Sequence, residues 1–270
     1  MKTRIIMAVM ALALTATAGQ AGLQLDLYYS FEVGAKTEAC VTAQINSVEM
    51  GAGVPLAVTG NATMDVTLEV TAVNEEGVAT IVVTFDRMAA ELMGRAQQPA
   101  RPAPVSLQVD SKGQVLDATS ADGPELDLFA GGGVPLQLVV LLAGVVELPA
   151  TPIDMTDTWT LDRTQTLPDV GTVSTRVTSQ LGSIDAAEAV VLTDIEASFP
   201  DFTTTNPMQD NQITVRNGIL TVEGMERIVD VPSGLITSVE ADIMFNGLAA
   251  IGEFVQLPLA VTSSFVIEAR

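Results

Sequence analysis

Of the residue types that most often do chemistry, this chain is nearly bare: histidine is absent and cysteine occurs once, at Cys40. That excludes Ser-His-Asp and Cys-His arrangements, an imidazole general base and imidazole metal ligands. Carboxylates remain. Those that could pair as acid and base, as in glycoside cleavage, are Asp154, Asp157 and Asp162 around Trp159, and Asp194, Glu196 and Asp201. Sugar-cleaving sites usually carry stacking aromatics, whereas Trp159 is the sole tryptophan and only two tyrosines accompany it. Solvated strand faces and turns explain these carboxylates better than a hydrolase does. The oxygen-rich segment Asp201 to Asp210, with Thr203, Thr204, Thr205 and Asn206, could face calcium, but no Asp-x-Asp-x-Asp-Gly loop exists and a polar connection between strands suffices. Gly131-Gly132-Gly133 lacks the lysine and spacing of a phosphate-binding loop and reads as a hinge. No catalytic residue, metal site or cofactor is assigned, and the expected protein is not an enzyme.

The N-terminus says where such a chain would work. Lys2 and Arg4 precede an apolar run from Ile5 to Leu14, and small residues continue to Ala21, with cleavage plausible after Ala21 or Ala18. Residues 1–21 thus read as a removable signal peptide, because the apolar run is about half the ~20 residues needed to cross a bilayer. A periplasmic or extracellular location follows, with no membrane-spanning segment in the mature chain. A single cysteine forbids an intramolecular disulfide, so stability must come from a packed core, with Cys40 as a small buried hydrophobe between Ala39 and Val41.

The charge narrows the partners. Twelve basic residues stand against thirty-three acidic ones, a formal net charge of −21. Such a surface repels nucleic acid and anionic membranes, and it keeps an apolar chain soluble.

Alternation with period two dominates, the mark of half-buried strands. It is cleanest from Leu23 to Val33, where Leu23, Leu25, Leu27, Tyr29, Phe31 and Val33 share one face. An extended strand there would run roughly 35 Å. The C-terminal run repeats the pattern through Leu257, Leu259, Val261, Phe265 and Ile267. Hairpin turns are expected at Asn217-Gly218, Asn74 to Gly77, Asp110 to Gly113 and Val231 to Gly234. The order of elements suggests a duplication: hairpins Thr67 to Phe85 and Val105 to Ala118 are answered by Ser174 to Phe199 and Glu226 to Asp242. The mature chain is therefore divided into β-rich halves, 22–150 and 151–270, which could equally form one continuous domain.

Two stretches break the pattern. Pro99 to Pro104 is a stiff loop, since proline lacks the N–H that a ladder needs. Val134 to Leu148 is almost wholly apolar and, as a helix, must be buried, either as a core helix or as a lid over an apolar cavity. Shorter helices are expected at Gly247 to Phe254 and Met88 to Gly94.

The signal ending near Ala21, the long run Leu23 to Val33 and the hairpins Val105 to Ala118 and Glu226 to Asp242 resemble exported bacterial β-rich proteins. More distantly they resemble the half-barrel lipoprotein carriers of the LolA and LolB type. That resemblance implies an antiparallel sheet curved around an apolar cavity, covered by helices such as Val134 to Leu148, and carrying lipid or lipid-modified protein. The expectation is a mainly β protein of one or two curved antiparallel sheets, in half-barrel or open-barrel form, with a few short covering helices. It would bind a lipid or other apolar ligand without catalysis, through residues the sequence does not single out. Eleven methionines and few aromatics suit such an adaptable lining. The alternative is a structural or protein-interaction module of the cell envelope.

Overall fold

The computed structural model describes residues 25–51, 54–56, 59–97, 101–120, 125–129, 132–135, 145–167, 170–205, 212–251 and 255–270. The signal segment 1–21 and residues 136–144 of the apolar run lie outside them.

The first half supplies β1 (Lys36–Met50), β2 (Val54–Leu56), β3 (Gly60–Val73), β4 (Ala79–Leu92), β5 (Arg95–Gln97), β6 (Val105–Val109) and β7 (Val115–Ser120). A separate hairpin follows, β8 (Glu125–Phe129) with β9 (Gly132–Pro135). The second half supplies β10 (Thr158–Leu167), β11 (Gly171–Ile184), β12 (Glu188–Phe199), β13 (Phe202–Thr205), β14 (Gln212–Asp230), β15 (Ile236–Ile251) and β16 (Val255–Ala269). Every pairing is antiparallel, in the order β10-β11-β12-β14-β15-β16-β1-β3-β4-β6-β7, with β2, β5 and β13 added at the ends of longer neighbours. The result is one open fourteen-stranded sheet. The two halves meet at β1 and β16, from Ala39 opposite Ala269 to Met50 opposite Leu259.

Four tight turns gather at one end, which we call the turn end. In each, an Asn or Asp side chain accepts from backbone N–H groups two to four residues on: Asn74 from Glu76 and Val78, Asp110 from Lys112 and Gln114, Asp185 from Ala187 and Glu188, and Asp230 from Ser233. Gly77, Gly113 and Gly234 supply the positive φ values of 81°, 80° and 71° that close three of them.

The expectation fails at four places. Leu25, Leu27, Tyr29 and Phe31 are buried and Asp26, Ser30 and Glu32 exposed, as the alternation requires, but the segment joins no strand of the sheet. It is a strap held at Leu25 by a bridge to Ile153 and at Tyr29 by the carbonyl of Ser111, and Val33 is 59 % exposed. An extended chain alternates whether or not it has ladder partners.

Asn217-Gly218 is not a hairpin turn. Asn217 takes a φ of 51° inside β14 as a bulge, and the register against β15 slips between Arg216 and Ile219. Glycine suits the next position because a Cβ at Gly218 would crowd the Phe245 ring and the Cβ of Phe199, whose rings pack edge to face at 5.7 Å.

Among the described residues there is no helix. Met88 to Leu92 continues β4, with Met93 and Gly94 forming the turn, and Gly247 to Ile251 continues β15. Ladder bonds and in-out alternation override the helix propensity of Met-Ala-Ala-Glu-Leu. Val134 and Pro135 belong to β9, and residues 145–149 run without regular structure.

Candidate functional site

The cross-strand register assigns each inward residue. From Val41, the same face passes to Ile267 and Met64, then to Val239 and Phe85's neighbourhood on β4. Toward the turn end this face is a closed core. Val70, Val222, Met225, Leu235 and Val239 are fully buried, in one cluster that spans both halves and includes the strap residues Leu25 to Phe31.

What closes it is a second strap, Val145 to Leu148. Trp159 on β10 donates its indole N–H to the Glu147 carbonyl at 2.9 Å, while the Leu148 N–H reaches the Lys112 carbonyl in the β6–β7 turn at 2.7 Å. β10 and β7 are the two ends of the strand order. Ten steps of about 4.8 Å would separate them by roughly 48 Å in a flat sheet, so adjacent strap residues can touch both only because the sheet curls toward itself. Tyr29 gives the same result. A Cβ at Gly234, in the β14–β15 turn, would lie 3.0 Å from its ring, and one at Gly113 would lie 2.8 Å from it.

Tyr29 is therefore the centre of the closed end. Its hydroxyl donates to the Val146 carbonyl at 2.9 Å, and its ring stacks on Phe31 at 5.3 Å. Arg227 takes an inward position between Val191 and Val239 and is 3 % exposed. Burial pushes the Tyr29 phenol well above its ordinary value, and burial also lowers the Arg227 guanidinium to about 10, opposed by Tyr29. Lys112 fastens the first strap, donating to Asp26 at 2.8 Å and to the Leu27 carbonyl at 2.7 Å. Between straps and sheet a crevice of about 30 Å³, lined by Leu27, Tyr29, Leu148, Leu181, Val191 and Val229, has room for water but not for an acyl chain.

Toward the other end the same face changes character. Ala43, Ile45, Val48 and Met50 on β1, Leu257, Leu259 and Val261 on β16, Ile243 and Phe245 on β15, and Ala62 and Met64 on β3 are aligned in register and only half-buried. Bulges at Asn46 and at β14 keep the apolar parity inward. No charged residue interrupts this band. It forms an apolar trough continuous with the core.

The carboxylates singled out from sequence lie elsewhere. Asp162 pairs with Arg176 at 2.8 Å, and Glu196 stands opposite Arg176 on the outer face. The Asp194 carboxylate accepts from the Gly224 N–H of a β14 bulge, Asp157 accepts from the Asp154 N–H, and Asp201 faces Arg216 at 3.7 Å. Apart from Asp154, whose Oδ1 is buried without a hydrogen-bond partner among the described residues, each has a local structural partner, and the structure does not bring the two groups together across a cleft. Cys40 is half-buried on the outer face, in register with Asp65 and Glu268, and not in the core. Thr203 bonds Thr214 across β13 and β14, while 206–210 lie outside the described residues. The buried side of Tyr29 was expected from its alternation, but its hydrogen bond to the Val146 carbonyl and the buried Arg227 were not anticipated. The readable signal was Arg227, an arginine at the inward parity of Met225, Arg227 and Val229.

The fold has a solved counterpart. A structure concerned with lipid–protein interactions in lipovitellin matches 89 % of this chain with a TM-score of 0.51 and 11 % sequence identity. The likeness is one of fold. This chain spans 25 % of the lipovitellin chain. No family model matches the sequence, and no curated protein is significantly similar to it.

Proposed function

We propose that this is an exported, non-catalytic protein that holds an apolar ligand, a lipid or acyl chain, against the half-buried trough of its sheet. The observation that carries the reading is the register-aligned, uncharged band on β3, β1, β16 and β15, which continues a closed core without being closed itself. Water-facing apolar bands of this kind are stabilised by an occupant, each square ångström removed from water contributing roughly 25 cal/mol. Lipovitellin, whose lipid–protein interactions are the subject of the matching structure, supports the same reading by likeness of fold. The resemblance to half-barrel carriers of the LolA and LolB type belongs to it as well, with the trough in the role of their cavity.

Native mass spectrometry of the protein purified from its own source tests the proposal. Adducts in the lipid mass range, lost on organic extraction and restored by a fluorescent acyl probe, are expected. Uniformly bare protein that takes up no probe would overturn it and leave the structural or interaction module. Ile45→Asp should abolish uptake while leaving the far-ultraviolet circular dichroism of the sheet intact.

A further inference from the structure

The trough's chemistry also selects among lipids, and this step rests on the proposed function above. We infer that the occupant is an uncharged lipid, with its acyl chains on an ester or comparable neutral group, and not a fatty-acid anion or an acidic phospholipid. Over roughly 20 Å of strand, from Ser263 to Leu257 on β16 and along the matching stretch of β1, the inward residues offer only aliphatic, thioether, aromatic and hydroxyl side chains. An anionic headgroup drawn into that stretch would leave water without a cation to meet it, which strongly disfavours the charged form.

The inward arginines lie outside the trough. Arg227 sits in the closed end, 3 % exposed, beneath Tyr29. Arg163 is at the β10 edge, bridged to Glu147 of the strap. Arg95 shares the inward rung of Leu92, Gly60 and Ile45 but stands on β5, two strands to the side of the trough's edge at β3, and is exposed at that lateral rim. Around them the chain carries a formal charge of −21, whose field lowers the local concentration of any anionic amphiphile and leaves a neutral one unaffected. Face and field therefore exclude the same ligand class.

The test is a matched pair. Full-length protein freed of lipid is titrated at about pH 8 with a pyrene-labelled long-chain fatty acid and with its methyl ester, which differ in charge and little else. The ester should bind at least tenfold more tightly, and the gap should narrow in acid as the ligand's carboxyl protonates, or when salt screens the field. Equal affinities, or tighter binding of the acid, would overturn the inference and leave the trough in place. A preference for the acid that vanishes in Arg95→Ala would replace it with an amphiphile headed at the rim. Binding of neither probe would sink the proposed function itself. The Ile45→Asp variant should lose the ester, and retention there would move the site off the trough and overturn the inference.

Discussion

The turn end and the trough share one face, one alternation and nearly one composition, yet one is sealed and the other half-open. Valines, isoleucines and methionines line both. The difference lies in what crosses them. The strap from Leu25 to Phe31 and the strap from Val145 to Leu148 lie over the turn end, fixed by backbone bonds to Ile153, Ser111 and Lys112. Period two decides which side of a strand is apolar, but whether that side becomes core depends on segments far away in sequence. The same pattern can thus specify a core at one end and a binding surface at the other.

The sharpest way to break the comparison is at the seam of the straps. Gly113 has a φ of 80°, and a Cβ there would overlap the Val146 carbonyl oxygen and press on the Tyr29 ring. Gly113→Ala should cost about 4 kcal/mol, from left-handed strain together with overpacking. Urea denaturation measures it. A change below about 1 kcal/mol would mean that the strap yields easily and that the closed end is not built as described.

A matched pair of methionines compares the two regions directly. Met225 is fully buried in the closed end, whereas Met50 is half-buried in the trough. Met225→Ala should cost about 3 kcal/mol with acyl-probe affinity unchanged. Met50→Ala should cost about 1 kcal/mol or less, with weaker probe binding instead. Equal destabilisation would make the trough ordinary core.

A smaller effect reads the closed end's polar centre. Tyr29→Phe removes the donor to the Val146 carbonyl and leaves a buried acceptor, costing about 1–2 kcal/mol. It also changes the alkaline behaviour. The folded-state pKa of the phenol is raised above its ordinary 10.0, so Tyr29's contribution is complete below pH 10.0 and declines as pH rises toward the folded value. Arg227, lowered to about 10, acts in the opposite direction over the same alkaline range. Denaturation midpoints followed from neutral pH upward should therefore fall more steeply in the native protein than in Tyr29→Phe. Parallel curves would place the phenol in water.

How much of this was readable beforehand follows from the range of each signal. Turn chemistry is local, so Asn74, Asp110 and Gly234 announced their turns, and even the positive φ at Asn217 was foreseen, although it bends a strand and does not reverse one. Inward parity is local too, and it held for Leu25 to Phe31 and Leu257 to Ile267. Ladder membership is not local. Nothing within Leu23 to Val33 says that its backbone will meet Ser111 and Ile153 and not a neighbouring strand. Helix propensity misled at Met88 to Leu92 because the partners that override it, Gly60 to Met64, are distant in the chain. The trough was invisible for the same reason: how far a face is buried depends on which distant segments lie over it.

The smallest expected effect tests the face that faces away from both regions. Asp162, Arg176 and Glu196 form a row across β10, β11 and β12, open to solvent on the outer side. Burial plays little part there; hydrogen bonding to Asp162 raises the Arg176 guanidinium above its usual range, and water and salt screen the interaction. Asp162→Asn and Glu196→Gln should leave the urea midpoint within experimental error and acyl-probe affinity unaltered, with any residual effect of Asp162→Asn vanishing in high salt. Loss of binding in either variant, with the fold intact, would carry function to the outer carboxylates. The contrast between turn end and trough would then no longer explain where the ligand goes, because both lie on the opposite side of the sheet from the residues that mattered.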